Sequence, residues 1–318
     1  MSINKNNTDC WKQDISKSVD FYNEWFLAFA PKTFRETRIE TTKEVETALR
    51  KTNNMLNLTT KVLLEKPSIL PMLRMSTCPP IARDRLIGLA YVSPNVVKSL
   101  ETGKFPARMN EENLNEELAK ICNILQKLID PDIFTWLENN SKPNRKDVER
   151  ASTIIADRLC GSVADPIIRN AQERRQLLTI QSWLEERNYR KLNTGEIKDF
   201  KDFPDGTFDF HFNVPVRLNN RTTVNIPIDI VIKPHKGKVT NYPILIEAKS
   251  AGDFTNVNKR RKEEAIKMSQ LKNNYGKGIQ FILFLCGYFE SGYLGYEAAE
   301  GIDWVWEHRI DDLSKIGL

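Results

Sequence analysis

Two apolar segments, residues 226–233 and 243–249, constrain the fold of this chain more than any other feature. Both are rich in Ile, Leu and Val, and a short polar link joins them, so they are predicted to be buried neighbouring strands. Three charged residues, Asp229, Glu247 and Lys249, interrupt these strands. Charged groups inside apolar strands are costly to bury unless they are paired or bind a metal. The segments therefore predict a functional site within a sheet.

The spacing of the three charged residues indicates metal-dependent chemistry. Glu247 and Lys249 are two residues apart, so in a strand they point to the same face. If the strands pair as a hairpin, Asp229 lies beside Glu247, and the two carboxylates can hold a cation near one ammonium group. Mg²⁺ prefers oxygen ligands of this kind. Such a cation activates water, and the lysine stabilises negative charge that develops on a phosphate.

An exposed, salt-bridged hairpin is the alternative explanation of the same residues. It predicts strands that alternate between apolar and solvent-exposed residues. Six apolar residues are instead expected to fill one face of the hairpin: Ile228, Ile230, Ile232, Ile244, Ile246 and Ala248. This pattern favours a buried site.

The composition limits the class of protein. The chain has 318 residues, enough for two domains, and it is 40% hydrophobic and 28% charged, as is usual for a soluble globular protein. No apolar run approaches the length of a membrane span, and residues 1–12 lack a secretory core. The five cysteines form no metal-binding pair. A net charge of +5 is compatible with nucleic-acid binding but also with an ordinary lysine-rich surface.

The hydrophobic pattern changes along the chain and predicts two domains. Residues 1–146 have mainly helical periodicity, and residues 147–318 contain a helix followed by strands. The polar stretch Asn139–Asn144 is the best linker candidate. The second domain reads as helix, three strands, helix and strand, which predicts an α/β fold with a mixed sheet flanked by helices.

Several motifs resemble those of a known enzyme family. The order Pro-x-Asp at 227–229 and Glu-x-Lys at 247–249 resembles the PD-(D/E)XK nuclease superfamily. Residues 79–90, 164–176 and 250–264 are similar to blocks of XamI-type type II restriction endonucleases. The resemblance extends from about residue 75 to about residue 290.

The resemblance implies a PD-(D/E)XK core preceded by a helical domain. It implies a bacterial cytoplasmic enzyme that cleaves double-stranded DNA at a short palindrome, with a GTCGAC-like site suggested and Mg²⁺ as cofactor. Asp229 and Glu247 would bind the metal, and Lys249 would orient water or stabilise the phosphate. Glu173, on the helix before the strands, would support the site or pair with a neighbouring arginine. A symmetric homodimer is expected for a palindrome, and a DNA methyltransferase is expected as a functional partner without stable contact.

A basic segment follows the predicted catalytic strand and is expected to contact DNA. Its cationic residues would hold phosphates, and an Arg or Asn would read a base edge. The predicted DNA-binding residues are Asn256, Asn258, Lys259, Arg260, Arg261 and Lys262.

Two other functions remain open at this point. One is a different PD-(D/E)XK nuclease, for repair or defence. The other is a non-catalytic DNA-binding regulator, in which residues 75–105 bind DNA and the acidic residues are structural. A nuclease with histidine metal ligands is disfavoured, because His211, His235 and His308 lie in unrelated sequence contexts.

Overall fold

The computed structural model describes residues 2–139, 141–193, 195–218, 222–235, 242–254 and 257–318, with the backbone alone for 257–261. Two compact units divide the chain. One comprises residues 30–168, and the other comprises residues 1–29 together with 169–318. We call them the helical unit and the sheet unit.

The helical unit is built from amphipathic helices. The helices that contribute to it are α1 (Trp11–Lys51), α2 (Thr60–Glu65), α3 (Leu70–Met75), α4 (Arg83–Ala90), α5 (Pro94–Glu101), α6 (Glu111–Leu128) and α7 (Arg145–Glu185). Helix α6 begins at Asn110, whose side chain accepts a hydrogen bond from the backbone N–H of Asn113. Buried residues such as Leu49, Leu118 and Ile155 form one apolar core in this unit.

The sheet unit contains a six-stranded mixed sheet whose strands follow one another in chain order. The elements after α7 are β1 (Arg190–Lys191), β2 (Thr207–Arg217), β3 (Thr223–Lys233), β4 (Ile244–Ala251), α8 (Val257–Tyr275), β5 (Phe281–Gly287), α9 (Ser291–Ala299) and β6 (Asp303–Trp306). Strands β2, β3 and β4 are antiparallel neighbours. The pairs β1–β2, β4–β5 and β5–β6 are parallel. Helices α8 and α9 make the two crossovers that parallel neighbours require.

Both faces of this sheet are buried. On one face, Ile244 and Phe284 pack in a cluster with Ile180 and Leu184 of α7. On the other face, Leu283 packs in a cluster that includes residues of α8. A sheet covered on both sides explains why its central strands read as continuous apolar runs.

The division into units differs from the predicted boundary at residues 146 and 147. Both boundaries of the helical unit fall inside the 41-residue helices α1 and α7. The first half of α7 contributes Ile155 to the helical core, whereas its second half contributes Ile180 to the sheet. The N-terminus belongs to the sheet unit because the Asp303 carboxylate accepts hydrogen bonds from the backbone N–H groups of Ile3 and Asn4, at 2.7 and 2.9 Å.

The predicted α/β class and the order of the C-terminal elements are confirmed. The helix predicted between the last two strands matches α8, and the four predicted strands match β2 to β5. Among the described residues, no helix is both long and apolar enough to span a membrane.

One expectation about the hairpin face is wrong. Ile230, Ile232, Ile244 and Ile246 share one cluster, with Ala248 packed against it, but Ile228 belongs to the cluster on the opposite side. Strand β2 shows the same change. Phe208 lies in the first cluster and Val214 in the second. Between them, His211 has a left-handed backbone with φ of 52°. A left-handed residue inside a strand distorts it, which accounts for the change of side at this point.

Candidate active site

Three neighbouring strands bring His211, Asp229 and Glu247 into one row. Where β2 pairs with β3, Phe210 lies opposite Ile230 and Phe212 lies opposite Ile228. His211 and Asp229 are the residues between these two pairs, so they lie opposite each other. In the β3–β4 register, Ile230 pairs with Ile246, so Asp229 and Glu247 occupy the next opposing positions. Opposing residues of antiparallel strands lie on the same side and close together. The hairpin therefore places the two predicted carboxylates side by side.

Asp229 is half-buried, and its surroundings disfavour its negatively charged form. Its Oδ2 accepts a hydrogen bond of 2.8 Å from the backbone N–H of Ala248. Burial and the nearby charge of Glu247 raise the pKa of Asp229 to about 6, although the Ala248 N–H opposes this rise. A divalent cation between the two carboxylates would remove the repulsion.

Glu247 is buried, with only 5% of its surface exposed. Its Oε1 accepts hydrogen bonds from Lys249 at 3.1 Å and from Lys267 of α8 at 2.7 Å. Its Oε2 is buried and has no hydrogen-bond partner among the described residues. Because an unsatisfied buried carboxylate oxygen is costly, a ligand for this atom is expected, and a cation fits it.

Lys249 lies between two acidic side chains. Its ammonium group is 3.1 Å from Glu247 and 3.0 Å from Glu264 of α8. Burial alone lowers the pKa of Lys249, but the two carboxylates outweigh burial and leave the pKa above its usual value. Lys249 is therefore a fixed positive charge at neutral pH, and its pKa is too high for a general base.

A further buried carboxyl group, that of Glu297, lies near Glu264. Glu297 of α9 is fully buried, and burial together with the charge of Glu264 raises its pKa to about 8. No sequence pattern marked Glu264, Lys267 or Glu297 as part of the site. Acidic and basic residues in helices usually lie on solvated faces, and nothing in the local pattern shows that Glu264 and Glu297 are buried or that Lys267 contacts Glu247.

Glu173 and His211 join Asp229 in a cluster that we call the acid–imidazole cluster. One ligand atom from each of the three residues lies within 4.8 Å of the other two. Glu173 and His211 are exposed, whereas Asp229 is half-buried. The structure thus brings the predicted Glu173 to the site. His211 had no predicted role, and only its register opposite Asp229 could have revealed it.

Helix α7 is attached to the sheet one turn beyond Glu173. The Gln176 side chain donates hydrogen bonds to the backbone carbonyls of Lys249 and Phe284, at 3.4 and 3.3 Å. Gln176 is almost fully buried. These two bonds position α7 over the catalytic strand, and they therefore position Glu173 near Asp229.

The predicted DNA-binding segment is described only in part. Asn256 lies outside the described residues. Asn258, Lys259, Arg260 and Arg261 belong to the first turns of α8, but their side chains also lie outside the description. Lys262 is exposed on α8. DNA contact by this segment stays a prediction.

Comparisons with known proteins identify the family. The sequence profile of the XamI restriction endonuclease family matches residues 53–306. The chain is also 52% identical over 315 residues to the type II restriction enzyme SalI of Streptomyces albus G, and the match covers 99% of each chain. Among solved structures, protein VC1899 from Vibrio cholerae matches 80% of this chain and 55% of its own, at 12% identity and a TM-score of 0.29. That likeness is too distant to bear on the fold. The profile and the close relative show that the chain belongs to the XamI restriction endonuclease family and is a type II site-specific deoxyribonuclease.

Proposed function

We propose that the protein cleaves both strands of DNA at a short palindrome in a Mg²⁺-dependent reaction, with Asp229, Glu247 and Lys249 as its catalytic residues. One observation carries the proposal. Two carboxylates on adjacent strands lie beside a charged lysine, and one buried carboxylate oxygen has no hydrogen-bond partner in the part of the chain that the structure describes. This arrangement is the one expected of a PD-(D/E)XK core, which we also propose.

The roles follow from the surroundings of each group. A bound Mg²⁺ would supply activation of water and neutralisation of phosphate charge. Asp229 and Glu247 would hold the cation. Lys249, kept protonated by Glu247 and Glu264, would face the negative charge that grows on the phosphate. Lys267 fixes Glu247 through its Oε1 and leaves Oε2 available for the cation.

The DNA contacts belong to the same proposal. Helix α8 starts six residues after the end of β4, so its first turns remain close to Lys249. We propose that residues 256–262 bind the DNA backbone and that Arg260 or Asn258 reads a base edge. A GTCGAC-like palindrome is the proposed sequence, and a symmetric homodimer would offer one active site to each strand. A DNA methyltransferase in the same bacterial cytoplasm would protect host DNA without a stable complex.

The proposal is tested by incubating plasmid and phage DNA with the protein, with and without Mg²⁺, and then sequencing the ends. Cuts at a single palindrome are expected, and chelation should stop them. Asp229→Ala, Glu247→Ala and Lys249→Ala should each abolish cleavage while much of the DNA binding remains. Asp202→Ala, at an exposed acid of the same unit, is the matched control and should cut normally. Full activity in any of the three site variants would remove that residue from the site.

The family assignment decides against the two alternatives that the sequence left open. A structure-specific repair or defence nuclease and a non-catalytic DNA-binding regulator both differ from a type II site-specific deoxyribonuclease.

A further inference from the structure

The acid–imidazole cluster differs chemically from the pair Asp229 and Glu247. It adds an imidazole nitrogen and a third carboxylate, from Glu173, to the shared Asp229. Within the described part of the chain, neither His211 nor Glu173 has a hydrogen bond or an ion pair that would explain its position. The three groups are therefore close to one another without being each other's partners.

The separation of the ligand atoms fits a shared cation. An ion about 2.0–2.2 Å from each nitrogen or oxygen ligand brings those ligands to roughly 3–4 Å from one another. The cluster holds its ligand atoms within 4.8 Å, so small side-chain rotations close the site. His211 and Glu173 are exposed and can be reached by an ion from solvent.

The neighbouring Glu247 shows that the same row of residues lacks a positive ligand in the part of the chain that the structure describes. Among the described residues, its buried Oε2 has no hydrogen-bond partner, and Glu247 lies near Asp229, just beyond the paired residues Ile230 and Ile246. Around Asp229 and Glu247, the described residues offer fewer hydrogen-bond donors than there are acceptor atoms. A binding site for a positive ion has such an excess of acceptors.

The imidazole determines which ion the cluster selects. Mg²⁺ prefers oxygen ligands and retains its waters, whereas imidazole nitrogen suits transition metals. We propose that Glu173, His211 and Asp229 form a second cation position that prefers a divalent transition metal, such as Co²⁺ or Zn²⁺, to Mg²⁺. The inference rests on the proposed function because Asp229 is shared between the two positions.

Binding of Co²⁺ to the full chain without DNA tests this inference. Calorimetry should show Co²⁺ binding about tenfold tighter than Mg²⁺ or more. Proton NMR of the Co²⁺ form should contain a strongly shifted, exchangeable imidazole N–H signal. His211→Asn should remove that signal and weaken Co²⁺ binding at least about tenfold, with Mg²⁺ binding changed less than about twofold. Asn is chosen because it tolerates the left-handed backbone at this position.

Two further variants complete the design. Glu173→Gln, on an exposed helix position, leaves the strand untouched and should also weaken Co²⁺ binding. His235→Asn, at a histidine outside the cluster, should change neither the NMR signal nor the affinity. The inference is overturned if the parent shows no shifted imidazole signal, or if His211→Asn and Glu173→Gln bind Co²⁺ as tightly as the parent. Failure of the proposed function would look different, because the parent would then cut no DNA with Mg²⁺ whatever the Co²⁺ result.

Discussion

The buried Glu297 provides a stability prediction that can be worked out from its surroundings. The side chain is fully buried in α9, near Glu264 and with Tyr293 one turn earlier. Its pKa rises from 4.5 to about 8, through burial first and the charge of Glu264 second. The folded state therefore binds this proton more tightly than the unfolded state. Its contribution to stability is complete below pH 4.5 and is lost as the pH rises from there to about 8.

The magnitude follows from the difference between the two pKa values. At about 1.4 kcal/mol per pH unit, the span from 4.5 to about 8 sets an upper limit of about 5 kcal/mol. Because real interiors relax around a new charge, we expect roughly 2–3 kcal/mol. Glu297→Gln removes the ionisation and keeps the shape. It should leave the free energy of unfolding within about 1 kcal/mol of the parent at pH 5, and raise it by roughly 2–3 kcal/mol at pH 9.

Urea unfolding at the two pH values, followed by tryptophan fluorescence, measures this effect. All tryptophans except Trp136 belong to the sheet unit, and Trp304 and Trp306 are fully buried there. A shift of the midpoint by about 1 M urea at pH 9 corresponds to the expected energy. Asp202→Asn, at an exposed acid of the same unit, is the control and should follow the parent. Parallel pH profiles for Glu297→Gln and the parent would refute the reasoning.

Three further predictions concern the reaction and the DNA. Lys267→Met should slow single-turnover cleavage at least about tenfold, because Glu247 loses its shortest hydrogen bond; an unchanged rate would show that Lys267 is only structural. Replacing Lys259 and Lys262 with Ala should weaken binding to all DNA sequences and flatten its salt dependence, with Lys61→Ala as the exposed control. Sedimentation of the protein on cognate duplex should show two chains per duplex, and one chain per duplex with double-strand cleavage retained would contradict the homodimer.

The elements around the site could be predicted because their signals are local. The apolar runs that form β3, β4 and β5 are short, bounded by turn residues and rich in Ile and Leu, so their type follows from the sequence. Asp229 and Glu247 stand out because they interrupt such runs. The division into units could not be predicted, since helices α1 and α7 continue through both boundaries and no break in the sequence marks them.

His211 and Glu264 could not be predicted for a different reason. The position of His211 opposite Asp229 depends on the register of β2 against β3, and a shift of one residue would move it to the other face. Glu264 is buried because the helix after β4 packs back on the sheet, although Glu263 beside it is exposed. The two acids are adjacent in the chain, so no local pattern distinguishes them. Tertiary packing decides which of them contacts Lys249.

The charges around Lys249 support the proposed cation site. The acids Asp229, Glu247 and Glu264 face the two ammonium groups of Lys249 and Lys267, and Glu297 is largely protonated at neutral pH because its pKa is about 8. Among the described residues, these three carboxylates outnumber the two ammonium groups. Burial, and after it the charge of Glu247, raises the pKa of Asp229. Replacing the acids by apolar residues would relieve this repulsion. The chain retains this repulsion beside buried apolar strands, and the proposed Mg²⁺ would neutralise it.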